Sequence, residues 1–333
     1  MTRHGATKGI KGVTGVTALR NKYGSFSTVS AGGGGSSSSG VAGYAAGGLG
    51  GSNISGIDKI TFSADTKTTL SATLTTARHG GAGFANSSVA GYVAGGTDSA
   101  NLSGIDKITF PADTKTTLSA TLTSARQYMG GFANSGVAGY VAGGFDGNYY
   151  NNIDKVSFPA DTKTTLSATL TTAPQIPAGF ANSGVAGYAA GGFASGYVSN
   201  IDKITFPADT RTTLSATLTT ARYSTTGFAD SGVAGYVAGG SGGSGWINGI
   251  DKITFPADTK TTLSATLTIP WRYGAGFANS GTAGYVAGGQ NSSSGDIIAI
   301  DKVAFPADTK TTLTATLTTA RHLAVGFADS GPL

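Results

Sequence analysis

The sequence predicts an all-β protein, a six-bladed β-propeller with four antiparallel strands in each blade. Three observations lead there. Glycine supplies 54 of the 333 residues and all 17 acidic residues are aspartate, whereas a helical fold leans on Glu, Lys, Leu and Ala and is weakened by glycine. One unit recurs six times along the chain. Its segments are rich in Thr, Val, Ile and aromatic residues, which favour strands. Composition also excludes several classes. Without cysteine there are neither disulfides nor thiolate metal sites. The glycine has no every-third-residue period, so collagen is excluded. No apolar run approaches the roughly 18 residues of a membrane helix, and the start of the chain lacks the apolar stretch of a secretory signal.

The repeat is nearly literal. The segment A-G-Y-x-A-G-G places tyrosine at Tyr44, Tyr92, Tyr140, Tyr188, Tyr236 and Tyr285. Ile-Asp-Lys follows at Asp58, Asp106, Asp154, Asp202, Asp251 and Asp301, and then F-P-A-D-T-K-T-T-L-S-A-T-L-T-T with few changes. Each unit ends in Gly-Phe-Ala, at Phe84, Phe132, Phe180, Phe228, Phe277 and Phe327.

Within a unit, G-F-A-N-S and A-G-Y-V-A-G-G read as two strands joined by a Ser-Gly turn. I-D-K-I-T-F is the third, ended by Pro-Ala-Asp turn chemistry. Thr117, Leu118, Ser119, Ala120, Thr121 and Leu122 alternate polar and apolar, which predicts a half-buried fourth strand. Such a sheet cannot bury both faces alone, whereas six arranged radially can. The last unit stops after its first strand and the first begins with its second, so the C-terminal strand around Phe327 is expected to complete the first blade. The competing closure uses Leu19, Arg20 and Phe26, which copy the Arg-to-Phe spacing but precede a Gly/Ser linker.

An arginine before G-F-A-N-S-G-V-A-G-Y-V-A-G-G, then a variable stretch and I-D-K-I-T-F, resembles the kelch repeat. The resemblance covers most of residues 40–330 and implies a propeller. It departs in the fourth strand, where kelch repeats carry tryptophan and this chain has T-T-L-S-A-T-L. The near-identity of the units is also similar to repeat proteins encoded by marine bacteriophages.

Two stretches vary from unit to unit: the one after the Gly doublet, from LGGSNISG to QNSSSGDIIA, and the one between the arginine and Gly-Phe. Antiparallel strands put both on one edge and the constant A-N-S-G and P-A-D-T-K turns on the other. The variable rim is rich in Tyr, Trp, Ser, Gly and Asn, a recognition composition. Its candidate ligand-binding residues are Tyr128, Tyr149, Tyr150, Tyr197, Tyr223, Trp246, Trp271 and Tyr273. Aromatic faces suit stacking on sugar rings; drift after duplication is the competing explanation. Arg78, Arg126, Arg222, Arg272 and Arg321 are expected in a ring near the central opening, either holding an anionic group or tying one blade to the next. Pro174 breaks that ring. The Asp-Lys pairs and Asp-Thr-Lys turns read as solvated charge.

Net charge is +5, and residues 1–39 carry all of it through Arg3, Lys8, Lys11, Arg20 and Lys22, while residues 40–333 are neutral. Five dispersed charges point to a docking arm, expected to be irregular, rather than to nucleic acid. Catalysis has little to draw on: there is no glutamate, and the three histidines do not cluster as ligands. No metal site or cofactor is expected, and single aspartates such as Asp98, Asp146, Asp230 and Asp296 lack alternate-position calcium spacing. The expected role is therefore non-catalytic. It is a virion structural or receptor-binding protein, docked on other virion proteins by its arm and turning the rim to a host glycan or receptor. The alternative is a kelch interaction scaffold in the bacterial cytoplasm.

Overall fold

The computed structural model describes residues 42–330 together with two strands nearer the N-terminus, and it divides the chain into units Met1–Ser38 and Ser39–Leu333. In the first unit Val16–Arg20 and Phe26–Ser30 pair antiparallel, from Val16 opposite Ser30 to Arg20 opposite Phe26. The arm expected to be irregular thus contains a hairpin, and Leu19, Arg20 and Phe26 are used within it. Arg3, Lys8, Lys11 and Lys22 lie outside the described residues, and of Arg20 only the strand is described.

The second unit has no helix among the described residues and contains six antiparallel four-stranded sheets, a propeller-like architecture. Sheet 1 joins Val325–Ala328, Ala42–Ala46, Ile57–Thr61 and Thr66–Thr69 in that order. Its first strand comes from the C-terminal end, with Tyr44 opposite Phe327. Sheet 2 runs Ala82–Asn86, Ala90–Ala94, Ile105–Thr109, Thr114–Thr117, and sheet 3 runs Gly130–Asn134, Ala138–Ala142, Ile153–Ser157, Thr162–Thr165. Sheets 4, 5 and 6 repeat the pattern from Ala178, Thr226 and Ala275.

The fourth strand is shorter and earlier than its alternation predicts. In sheet 2 it is Thr114–Thr117, and the ladder ends where Leu118 N donates to Ile105 O. Leu118 and Leu122 do reach the core, but across an irregular stretch, because Leu122 N turns back to Ser103 O. Thr123 must then reach Asp154 of the next sheet, which its N and Oγ1 do at 3.0 and 2.6 Å.

Both faces of the first two strands are buried, and each core cluster draws on two successive sheets. Tyr92 stacks between Phe84 of its own sheet (4.9 Å between centroids) and Phe158 of the next (5.2 Å). The same sandwich recurs at every junction, the sixth being Tyr285 between Phe277 and Phe62 of sheet 1. Offset stacks of this kind add to the burial of large apolar area. First strands approach closely as well. A Cβ on Gly131 would lie 2.0 Å from the Gly83 carbonyl oxygen, and the equivalent close approach repeats from Gly179 to Gly131, Gly227 to Gly179, Gly276 to Gly227, Gly326 to Gly276 and Gly83 to Gly326.

The face beside each phenylalanine leaves no room either. A Cβ on Gly139 would sit 1.9 Å from the Phe84 ring. Gly139→Ala is therefore expected to cost about 1–3 kcal/mol through overpacking, read as a lower urea midpoint; an unchanged midpoint would show that the junction is loosely packed.

Candidate functional site: the variable edge

The two variable stretches meet on one edge through backbone pairing. His79 bridges Thr97, Gln127 bridges Phe145, Gln175 bridges Phe193 and His322 bridges Leu49. In sheets 5 and 6 the same contact is a small ladder, Arg222–Tyr223 with Ser241–Gly242 and Trp271–Arg272 with Gln290–Asn291. The opposite edge is uniform for a mechanical reason. Each A-N-S-G turn ties to the next sheet, as where Gly136 N donates to Asn86 Oδ1 and Gly184 N to Asn134 Oδ1, at 2.9 and 3.0 Å. Replacing such an asparagine by a residue without a side-chain acceptor would leave a backbone donor unpaired, whereas Asp230 at the same position keeps the bond, accepting from Gly281 N at 2.7 Å.

At the centre of the variable edge, Tyr128, Ile176, Ser224, Tyr273 and Leu323 adopt left-handed backbone with φ between 52° and 65°. Their amides hydrogen-bond from one sheet to the next: Tyr128 N to Gly80 O, Ile176 N to Tyr128 O, Tyr273 N to Ser224 O, Leu323 N to Tyr273 O. Gly80 N in turn donates to Leu323 O. The cavity inside these residues is about 90 Å³, and the one below it, lined largely by Gly and Ala of the first strands, is about 80 Å³. Ligand pockets run from about 300 Å³ upward, so each of these two spaces is too small to enclose a ligand.

That surface is dominated by an arc of rings. Phe145 and Tyr149 are 5.1 Å apart, Tyr149 and Phe193 6.4 Å, Phe193 and Tyr197 5.5 Å, Tyr197 and Tyr223 5.7 Å. Tyr223 then meets Tyr273 edge-on at 6.5 Å, and Tyr273 lies 5.7 Å from His322. Tyr149 and Tyr197 are 41% and 43% exposed. The Arg272 guanidinium packs over Trp246 at 4.3 Å and Tyr273 at 4.7 Å, donating from Nη1 to the Tyr223 hydroxyl and from Nη2 to Gln290 Oε1. Of the candidate rim residues, Tyr149, Tyr197, Tyr223, Trp246 and Tyr273 thus come together. Tyr128 is half-buried beside the 90 Å³ cavity. Tyr150 is turned to its own loop, its hydroxyl on Asp146 Oδ2 at 2.6 Å. Burial raises the Tyr223 and Tyr128 hydroxyls above their ordinary pKa. Sheets 1 and 2 offer polar groups instead, with His79 Nδ1 2.7 Å from Asn53 Oδ1 and Asn53 Nδ2 donating to Asp98 O. Burial, and then the nearby His322, lower the His79 pKa.

Trp271 is a correction. It is 1% exposed and occupies the position that arginine holds elsewhere, its carbonyl accepting from Gly240 N as the Arg78 carbonyl accepts from Gly48 N. Spacing carries the signal: Arg78, Arg126, Arg222 and Arg321 stand six residues before their Gly-Phe phenylalanines, Arg272 only five. That displacement removes Arg272 from the arginine set and puts it on the rim. Phe145, Phe193 and Gln290 belong to the arc without having been singled out in the sequence, although both phenylalanines directly follow a Gly doublet.

The remaining arginines do not surround the opening. Arg78, Arg126, Arg222 and Arg321 are buried and pair with Asp106, Asp154, Asp251 and Asp58 at 3.0, 3.2, 3.1 and 2.7 Å. Each precedes its sheet in the chain while its own backbone stays on the previous one, as where Arg78 N donates to Ile54 O and Arg78 O accepts from Gly48 N. They tie sheet to sheet, and an anionic ligand cannot reach them. Nor are the Asp-Lys pairs solvated. Asp58, Asp154 and Asp301 are at most 1% exposed, and the turn aspartates accept from the previous sheet's lysine and tyrosine, Lys107 Nζ and Tyr92 Oη on Asp161 at 2.6 and 2.8 Å. An aspartate between isoleucines in a strand is disfavoured unless donors meet it. Here Thr75 N and Oγ1, Thr117 Oγ1 and Arg78 Nη2 all meet Asp106. Against the cost of burial, these bonds and the Arg78 charge hold its pKa below the usual range.

No protein-family model matches this chain, and no curated protein matches it. Its functional reading therefore rests on the geometry of the variable edge.

Proposed function

We propose that the protein is a non-catalytic recognition module, a closed six-bladed kelch-like propeller that presents its variable edge to a host-surface glycan or receptor. The C-terminal strand seated in sheet 1 and the series of first-strand approaches that returns from Gly326 to Gly83 support six blades in a closed ring. The observation that carries the function is the continuous arc of exposed and half-exposed rings across sheets 3 to 6. Rings packed on one another lose little freedom when a ligand lies on them, which suits Tyr-rich recognition surfaces. The basic segment before residue 40 supports a docking role on a phage particle, with the uniform edge free of the variation that recognition selects.

Two measurements test this. Screening the full chain on a glycan array is expected to detect binding that Tyr149→Ala and Tyr197→Ala each weaken about tenfold through lost stacking. Binding that survives both substitutions unchanged removes the arc from the site. Mass spectrometry of purified phage particles separates the virion reading from a cytoplasmic scaffold; a protein absent from particles belongs to the second.

A further inference from the structure

Among the residues whose side chains are described, every arginine except Arg272 has an aspartate within 4.0 Å. Arg272 is the exception and it lies in the arc. Its Nη1 and Nη2 each make one hydrogen bond, to Tyr223 Oη at 3.2 Å and Gln290 Oε1 at 3.1 Å, both neutral acceptors, and its Nε is buried without a partner. The carboxylate in this network, Asp296, is already occupied: His322 Nδ1 lies 2.7 Å from its Oδ1, and the Gln290 amide reaches it at 3.5 Å. Trp246 and Tyr273 pack against the guanidinium and hold its plane. A guanidinium fixed in this way, uncompensated and with a second hydrogen unused on each of Nη1 and Nη2, is complementary to a carboxylate. Beside it, Tyr223 and Tyr197 provide adjoining faces, and Tyr197 is among the most exposed rings of the molecule.

We infer that the arc takes an acidic saccharide, with the carboxylate of a uronic or sialic acid residue on Arg272 and sugar ring faces on Tyr197 and Tyr223. The inference rests on the recognition reading above and names its ligand class. The charge supplies selectivity and the rings supply contact area common to acidic and neutral sugars, so the two contributions separate experimentally.

The test offers the 333-residue chain three acidic probes, sialyl-lactose, oligogalacturonate and oligoguluronate, each beside its methyl ester. The ester keeps the ring and removes the charge. At least one acid is expected to bind about tenfold more tightly than its ester, the scale of one charge-assisted hydrogen bond, and to lose that margin as salt is raised. R272Q is expected to level acid and ester, while Tyr197→Ala weakens both alike. Equal binding of acid and ester by the unaltered protein overturns the inference, and so does the absence of binding by every acidic probe. Neutral sugars bound in a way that Tyr197→Ala weakens would leave the recognition reading standing without its acidic ligand. Binding indifferent to Tyr149→Ala and Tyr197→Ala would remove that reading as well. The ester comparison needs no variant, so it decides the matter even if R272Q fails to fold.

Discussion

Raising the pH above 10 is expected to unfold the sheets in one cooperative step, with six tyrosines ionising together as the structure is lost. Tyr44, Tyr92, Tyr140, Tyr188, Tyr236 and Tyr285 are at most 1% exposed. Each hydroxyl donates to the turn aspartate of the next sheet at 2.8–2.9 Å. Burial first, and then the bond to that aspartate and its charge, push every one of these hydroxyls well above the ordinary value of 10.0. Below pH 10 the phenols are protonated in both folded and unfolded chains and their contribution to stability is fully present. Above it the unfolded chain releases protons that the folded one keeps, so stability falls as pH rises. Each tyrosine contributes about 1.4 kcal/mol per pH unit and six contribute roughly 8. A total stability of about 5–15 kcal/mol cannot withstand that for more than about two units. Tyrosinate absorbance and far-ultraviolet circular dichroism, followed together against pH, should change in the same narrow interval. A gradual ionisation of all the tyrosines with the strands intact would show that the inter-sheet hydroxyls are open to solvent.

Asp154→Ala is expected to be far more damaging than Arg126→Met at its arginine partner. Asp154 is fully buried and accepts from Thr123 N, Thr123 Oγ1, Thr165 Oγ1 and Arg126 Nη2. Removing the carboxylate orphans the Thr123 amide, leaves the Thr123 and Thr165 hydroxyls to each other at 2.6 Å, and strands the buried guanidinium, a loss of about 3–5 kcal/mol. Taking away Arg126 instead leaves an aspartate still held by threonines. The molecule already contains that state: in sheet 4, where Pro174 stands at the arginine position, Asp202 accepts from Thr171 N, Thr171 Oγ1 and Thr213 Oγ1 at 2.7, 2.6 and 2.7 Å. Arg126 is also incompletely met, since its Nε and Nη1 are buried without partners and burial lowers its pKa. Arg126→Met, which keeps the apolar stem, is therefore expected to change stability by no more than about 1 kcal/mol. Urea midpoints of the two variants decide the matter; equal losses would mean that the pair, and not the aspartate, organises the junction.

Much of this architecture was legible because the chain compares itself. Positions constant across six units had to serve something every sheet needs, and positions that varied had to lie where no sheet depends on them; the pairing of His79 with Thr97 and its counterparts places both variable stretches on one edge, as antiparallel order requires. What misled was local pattern. Thr117 to Leu122 alternates like a strand, yet the chain leaves the ladder at Leu118 because Thr123 has to reach Asp154. The Ile-Asp-Lys aspartates look like surface charge, since the partners that bury them come from elsewhere in the chain, 28 or 31 residues away in the case of Asp106. Trp271 looks like a rim aromatic until its spacing is counted.

Sequence alone determined that six equivalent units build the chain, which of their segments pair, and that one edge is free to differ. Those follow from strand propensity, turn chemistry and periodicity, which act over a few residues. Only the tertiary structure decided that the repeated arginines are internal ties, that Trp271 lies in the core, and that Arg272 is left on the surface without an acid beside rings from neighbouring sheets. Burial and charge pairing depend on residues brought together from different units, and proximity of that kind is a property of the assembled sheets, not of any stretch of chain.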